Sequence, residues 1–112
     1  MKLIKTILIT AILVFGTIIP GIAEEKQPAV IESISYQHDK EHGETVNFKL
    51  NGIHIPKIFA IKGEKPRVVF DFMDTRYSDL INKIIETEGD LVKRVRVGIH
   101  NDPAPKTRVV ID

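Results

Sequence analysis

The chain contains no cysteine. Disulfide bonds, thiol chemistry and a lipid-modified N-terminal cysteine are therefore excluded, and the fold must be held by packing alone. The sequence also lacks Gly-x-Ser-x-Gly, a P-loop and His-Glu-x-x-His, which are short motifs of common catalytic sites. These absences argue against an enzyme, and 112 residues allow one small domain.

A strong excess of one charge sign is missing too. All 15 Asp and Glu and all but two of the 16 Lys and Arg lie beyond residue 23, which leaves a formal charge of −1 there. Binding to a nucleic-acid backbone needs a clear basic excess. We therefore expect no nucleic-acid partner.

The first 23 residues have the order of a secretory signal peptide. Two lysines precede an uncharged apolar run from Ile7 to Ile19, and Gly21 and Ala23 then supply small residues two positions apart. An uncleaved anchor is the alternative, but it needs about 20 apolar residues. We predict a signal peptide over 1–23 that is removed after Ala23, a linker over 24–28, and no membrane span after cleavage.

Most of the remaining chain alternates between apolar and polar residues, which is typical of half-buried strands. The clearest case is 45–50, where Val46, Phe48 and Leu50 share one face. The pattern predicts strands over 30–36, 45–50, 57–61, 67–72, 91–99 and 107–112. It also predicts a common core of Val46, Phe48, Val68, Phe70, Val95, Val97, Val109 and Ile111.

Residues 77–88 break this alternation. Ser78 can cap a first helical turn and Gly89 can end a helix. The pattern predicts a short helix over 78–88 in an otherwise all-β fold, with an extended loop as the alternative. The apolar residues at helical spacing are Leu80, Ile81, Ile84 and Ile85.

One short sequence occurs twice. Arg67-Val68-Val69-Phe70-Asp71 returns 41 residues later as Arg108-Val109-Val110-Ile111-Asp112, and each copy follows a strand and a loop with proline. Two copies suggest two related β halves, since a solenoid needs at least three repeats.

These motifs resemble the AMIN domain, a family found in exported bacterial cell-wall amidases and type IV pilus secretins. The resemblance covers residues 29–112 and includes an opening strand and four later motifs. The motifs are Val30-Ile31-Glu32-Ser33-Ile34, Thr45-Val46-Asn47-Phe48-Lys49-Leu50, Pro66-Arg67-Val68-Val69-Phe70-Asp71-Phe72, Leu91-Val92-Lys93-Arg94-Val95-Arg96-Val97-Gly98 and Arg108-Val109-Val110-Ile111-Asp112.

The resemblance implies a small β-sandwich of two sheets, located in the periplasm, that targets its parent protein to the cell wall by binding peptidoglycan. Family domains commonly continue past the last motif, whereas nothing follows Asp112 here. We therefore expect either a free-standing module or a fragment of a longer amidase or secretin. An interaction module that binds a periplasmic envelope protein, such as a secretin assembly, is the alternative function.

Four arginines on predicted strands are the candidate ligand-binding residues: Arg67, Arg94, Arg96 and Arg108. The planar guanidinium group pairs with carboxylates through two parallel hydrogen bonds, which suits the stem peptides of peptidoglycan. Outward ion pairs with strand carboxylates are the structural alternative, in particular for Arg67 with Asp71 and for Arg108 with Asp112.

Residues 38–42 hold the only cluster with ligand-like side chains, His38, Asp39, Glu41 and His42. A pair of His residues four apart converges on a helix, whereas this segment has the composition of a turn. We expect a solvated loop, and neither a metal site nor a cofactor. Carboxylates on such a loop also lack the fixed spacing and desolvation that glycan cleavage requires.

Overall fold

The computed structural model describes residues 27–112, and over this range it contains eight strands. The predicted signal peptide and most of the predicted linker lie outside the described residues. Between residues 27 and 112 no helix has the length and apolar character needed to cross a bilayer. The strands are β1 (Ala29–Asp39), β2 (Gly43–Leu50), β3 (Lys57–Ile61), β4 (Arg67–Met73), β5 (Thr75–Tyr77), β6 (Ile84–Glu86), β7 (Arg94–His100) and β8 (Lys106–Ile111).

Three strands form the smaller sheet, in the order β2–β1–β5. β1 and β2 are an antiparallel hairpin in which Ile34 lies opposite Phe48, and β5 adds in parallel to the start of β1. The register shifts after Ile31, so that Glu32 occupies a bulge. Because a bulge inserts one residue, Ile31 and Ile34 both reach the core, and the irregular alternation of this segment is explained.

The larger sheet has five antiparallel strands in the order β3–β4–β8–β7–β6. The repeated sequence lies on the central strand, β8, and on the adjacent strand β4. The two copies run antiparallel beside each other, with Asp71 opposite Arg108 and Val69 opposite Val110. The repeat therefore pairs with itself inside one sheet.

The two sheets pack face to face, and the predicted all-β sandwich is confirmed. Phe48 of the smaller sheet lies 5.2 Å from Phe70 and 5.8 Å from Phe72 of the larger one, measured between ring centroids. The buried centre of the core consists of Ile31, Phe72, Val95, Val97 and Val109.

Seven of the eight predicted core residues belong to this core or pack against it at half burial. The exception is Val68, which is 36% exposed, so its predicted burial is wrong. Val68 lies opposite Ala60 of the edge strand β3, and Ala60 is exposed as well. The inward-facing side chains at this end of the larger sheet are therefore not covered by any other part of residues 27–112.

The helix predicted over 78–88 does not form. A turn at Asp79 and Leu80 and irregular backbone precede Ile84–Glu86, which is instead strand β6, with Ile85 opposite Val95 of β7. Ile81 and Ile85 pack against the core, while Leu80 is 92% exposed. Pairing with the edge of β7 satisfies the backbone of Ile84–Glu86, and this tertiary contact outweighs the helical spacing of the apolar residues.

Candidate functional site

All four predicted arginines project from the same face of the larger sheet. Val95, Val97 and Val109 of β7 and β8 point into the core, so residues that alternate with them point outward. We call the outward surface the arginine face. Its strand residues include Arg67, Val69 and Asp71 of β4, Arg94 and Arg96 of β7, and Arg108 and Val110 of β8.

Arg108 is held in place by a carboxylate of the neighbouring strand. Its Nε and Nη2 donate to the two carboxylate oxygens of Asp71 at 2.7 and 3.0 Å. The guanidinium also lies 5.7 Å from the ring centroid of Phe59, and Lys106 is 4.0 Å from the same carboxylate. The Asp71 side chain is only 6% exposed. This largely buried ion pair therefore joins β4 and β8 and has a structural role on the arginine face.

The environment of Asp71 favours its charged form. The hydrogen bonds from Arg108 lower the pKa of Asp71 below its ordinary value, and they prevail over burial, which acts in the opposite direction. Because Nε and Nη2 of Arg108 already donate to this carboxylate, Arg108 has fewer hydrogen-bond donors left for a ligand than an arginine without an ion pair.

Arg96 forms a similar pair in a more exposed position. Its Nε and Nη2 donate to the two carboxylate oxygens of Asp112 at 2.7 and 3.0 Å. Arg94 has a looser contact, since its Nε lies 3.7 Å from a carboxylate oxygen of Glu86 on β6. Both arginines are about half exposed.

Arg67 is the least constrained of the four. It forms no ion pair with any residue between 27 and 112. The predicted contact of Arg67 with Asp71 is absent because Asp71 pairs with Arg108, and the predicted contact of Arg108 with Asp112 is absent because Asp112 pairs with Arg96. The repeat thus joins an arginine of one copy to the aspartate of the other.

Three of the arginines meet at one groove of about 520 Å³, which we call the arginine groove. Cationic side chains outnumber acidic ones around it. Exposed apolar surface is supplied by Pro66 and by Leu91, which is 82% exposed. The lining residues are Glu64, Lys65, Pro66, Arg67, Leu91, Lys93, Arg94, Arg96 and Asp112.

The groove can attract and orient an anionic ligand. Arg108 does not line it and lies instead along a second, smaller groove of about 300 Å³, on the other side of Arg96.

A known protein family matches most of the chain. The family model described as the AMIN domain matches residues 33–112. The chain belongs to the AMIN domain family. AMIN domains are non-catalytic periplasmic modules that bind peptidoglycan and serve as targeting domains in amidases and secretins. No curated protein and no solved structure matches the chain significantly.

One wall of the groove in this AMIN domain depends on a residue that the sequence did not single out for that role. The carboxylate of Glu44, on β2, accepts hydrogen bonds from the backbone N–H of Leu91 at 2.7 Å and of Val92 at 3.1 Å. It also accepts the hydroxyl proton of Tyr36 at 2.7 Å. Glu44 therefore ties the loop that carries Leu91 and Lys93 to the smaller sheet.

These contacts shift both side-chain pKa values. The hydrogen bond from Tyr36 lowers the pKa of Glu44, with further help from the N–H groups of Val92 and Leu91. Burial and the hydrogen bond to Glu44 raise the pKa of Tyr36 to about 12. The carboxylate partners lie 47 and 48 residues away in sequence, so no local motif signals this anchor.

The His38–His42 segment comprises the end of β1 and the turn of the β1–β2 hairpin. Asp39 accepts a hydrogen bond from the backbone N–H of Glu41 at 2.9 Å, and the Nδ1 atom of His42 lies 3.2 Å from the Asp39 carboxylate. Gly43 follows with a φ of 70°, a conformation that suits a residue without a Cβ. Over residues 27–112 no three His, Asp or Glu side chains converge as a metal site would require.

Proposed function

We propose that this AMIN domain binds peptidoglycan through the arginine groove, with Arg67 and Arg94 as the main contacts. The supporting observation is that these two guanidinium groups border the same groove while Arg67 has no ion-pair partner among the described residues and Arg94 has one at 3.7 Å. Arg96 and Arg108 shape the same face but are each occupied by two hydrogen bonds.

The chemistry of the groove favours a carboxylate-bearing polymer. A guanidinium fork forms two parallel hydrogen bonds with a carboxylate, and the stem peptides of peptidoglycan carry such groups. Lys65 and Lys93 add positive charge at the rim, while Pro66 and Leu91 offer apolar surface for the aliphatic parts of a peptide or the face of a sugar ring. No step of bond cleavage is involved in this function.

The proposed setting is the periplasm, reached through the signal peptide over 1–23. Periplasmic location is typical of proteins that contain an AMIN domain. The apolar run from Ile7 to Ile19 and the small residues Gly21 and Ala23 support export and cleavage in this chain.

Sedimentation with purified peptidoglycan sacculi tests the proposal. The wild-type domain should sediment with sacculi, and Arg67→Ala combined with Arg94→Ala should weaken binding by about tenfold, since each lost contact is a charge-assisted hydrogen bond in a solvated groove. The matched control is Arg76→Ala combined with Lys40→Ala, which removes the same charge from exposed positions away from the groove.

Salt and stability measurements complete the test. Binding should weaken with added salt because exposed charge contacts are screened over about 8 Å at physiological ionic strength. Thermal unfolding should be nearly unchanged in the groove variant, since Arg67 and Arg94 have little internal role. Sacculus binding that survives the groove variant, or that falls equally in the control, would refute the assignment of the site.

A further inference from the structure

Among residues 27–112, no strand pairs with the outer side of the edge strand β3. It pairs with β4 through residues 57–61 and forms one end of the larger sheet. Unpaired N–H and C=O groups along an edge are a template for another strand. Of the other edge strands, β5 and β6 are only three residues long against five in β3, and β2, which has eight, carries no exposed large apolar side chain.

Apolar side chains cluster around this edge. Ile58 of β3 is 58% exposed, and Val68 of β4, on the same face, is 36% exposed. Ile53 and Ile55, in the segment that leads into β3, are 94% and 88% exposed. Single exposed apolar residues are ordinary, but a cluster beside an unpaired strand edge is typical of a binding site.

The charge around β3 indicates what can bind there. Lys57 begins the strand and Lys62 follows it, while residues 53–63 contain no Asp or Glu. A second copy paired antiparallel through β3 would bring these lysines together with no carboxylate from either β3. Like charges on facing strands are destabilising and opposite charges are stabilising.

We propose that β3 is a docking edge for an extended segment of another protein, apolar at alternate positions and acidic at its ends. The segment adds as a sixth strand beside β3, its apolar residues extend the inward surface formed by Ile58 and Val68, and its carboxylates lie near Lys57 and Lys62. Main-chain hydrogen bonds provide affinity in this mode of recognition and the alternate side chains provide specificity. This second surface is separate from the arginine groove.

A pair of synthetic peptides tests the proposal on the soluble domain. Both peptides alternate valine and threonine over five residues; one has two glutamates at each end and the other has two lysines. The glutamate peptide should bind about tenfold more tightly than the lysine peptide, since two facing charge pairs change sign between them. In NMR spectra of the labelled protein, addition of the glutamate peptide should change the chemical shifts of residues 57–62. The backbone amides of β3 should also exchange more slowly in the complex with this peptide.

Charge reversal in the protein provides the decisive comparison. Lys57→Glu combined with Lys62→Glu should reverse the preference, and Ile58→Ser should weaken binding of the glutamate peptide. If the double variant is unstable, Lys62→Glu alone can be used, because residue 62 lies outside the strand. This single variant should shift the peptide preference in the same direction. The matched control, Lys40→Glu with Lys83→Glu, should retain the wild-type preference, because both positions are exposed and lie on the β1–β2 turn and beside β6.

Three outcomes would overturn the proposal. Equal affinity for the two peptides would show that Lys57 and Lys62 do not contribute to recognition. Peptide shifts that map to β2 in place of β3 would put the docking edge elsewhere. A dimer of the free domain that Ile58→Ser dissociates would make a second copy, and not a foreign segment, the occupant of β3.

Discussion

Removal of the Arg108 side chain should destabilise the whole domain. The Asp71 carboxylate is 6% exposed and receives two hydrogen bonds from Arg108, whose own side chain is 29% exposed. In Arg108→Ala this carboxylate remains buried with Lys106 at 4.0 Å as its nearest cation. Loss of one partner from a buried pair costs about 3–5 kcal/mol, and the lower end applies here because Arg108 is partly solvated.

That loss is large for a domain of this size, whose total stability is on the order of 5–15 kcal/mol. Because the chain has no tryptophan, urea unfolding is best followed by far-ultraviolet circular dichroism. Arg108→Lys should recover only part of the stability, since lysine retains the charge but not the two-pronged geometry. Arg76→Ala, at an exposed position of β5, is the control and should unfold near the wild-type midpoint.

The pH dependence of unfolding provides an independent test of the Asp71–Arg108 pair. The folded-state pKa of Asp71 lies below its ordinary value of 3.8, chiefly because of the Arg108 hydrogen bonds. The stabilisation is therefore fully present above about pH 4 and is lost as the pH falls through the folded-state pKa. Asp71→Asn should show a shallower acid loss than wild type. An Arg108→Ala protein with the wild-type midpoint, or an unchanged acid profile in Asp71→Asn, would refute this account of the pair.

Three further predictions concern the core, the anchored loop and the N-terminus. Phe72→Ala should cost about 3–5 kcal/mol, whereas Val68→Ala on the same strand face should cost far less; equal urea midpoints would contradict the described core. A Cβ at Gly89 would overlap the Glu44 carboxylate and lie 2.8 Å from the Val92 carbonyl oxygen. Gly89→Ala should therefore cost about 1–3 kcal/mol in thermal unfolding, and wild-type stability would show that the loop yields freely. N-terminal sequencing of exported protein should begin at Glu24, and a start at Met1 in a membrane fraction would indicate an anchor.

Much of the strand pattern could be predicted because it depends on local alternation. β3 has the predicted bounds, and β4 extends the predicted strand by one residue. A strand with one face toward a core and the other toward solvent must alternate, so the period is visible in the sequence. The same reasoning predicted that Arg94 and Arg96 lie on the outward face of their strand and Val95 and Val97 on the inward face, as the structure shows.

Features that depend on distant partners could not be predicted in this way. Ile84 and Ile85 have helical spacing with their apolar neighbours, but they form strand β6 because they pair with the edge of β7. Glu44 is one of several carboxylates in the sequence, and only folding brings it to the N–H groups of Leu91 and Val92. Neither contact leaves a period or a motif in the chain.

The division of roles among the four arginines shows the same limit. Antiparallel pairing of the two repeat copies places Asp71 beside Arg108, and the same symmetry brings Asp112 near Arg67. Arg96, on the other neighbouring strand, forms the hydrogen bonds with Asp112 instead, at 2.7 and 3.0 Å. The sequence therefore predicts which face carries the arginines. It does not predict that Asp112 pairs with Arg96, which leaves Arg67 with no ion-pair partner among residues 27–112.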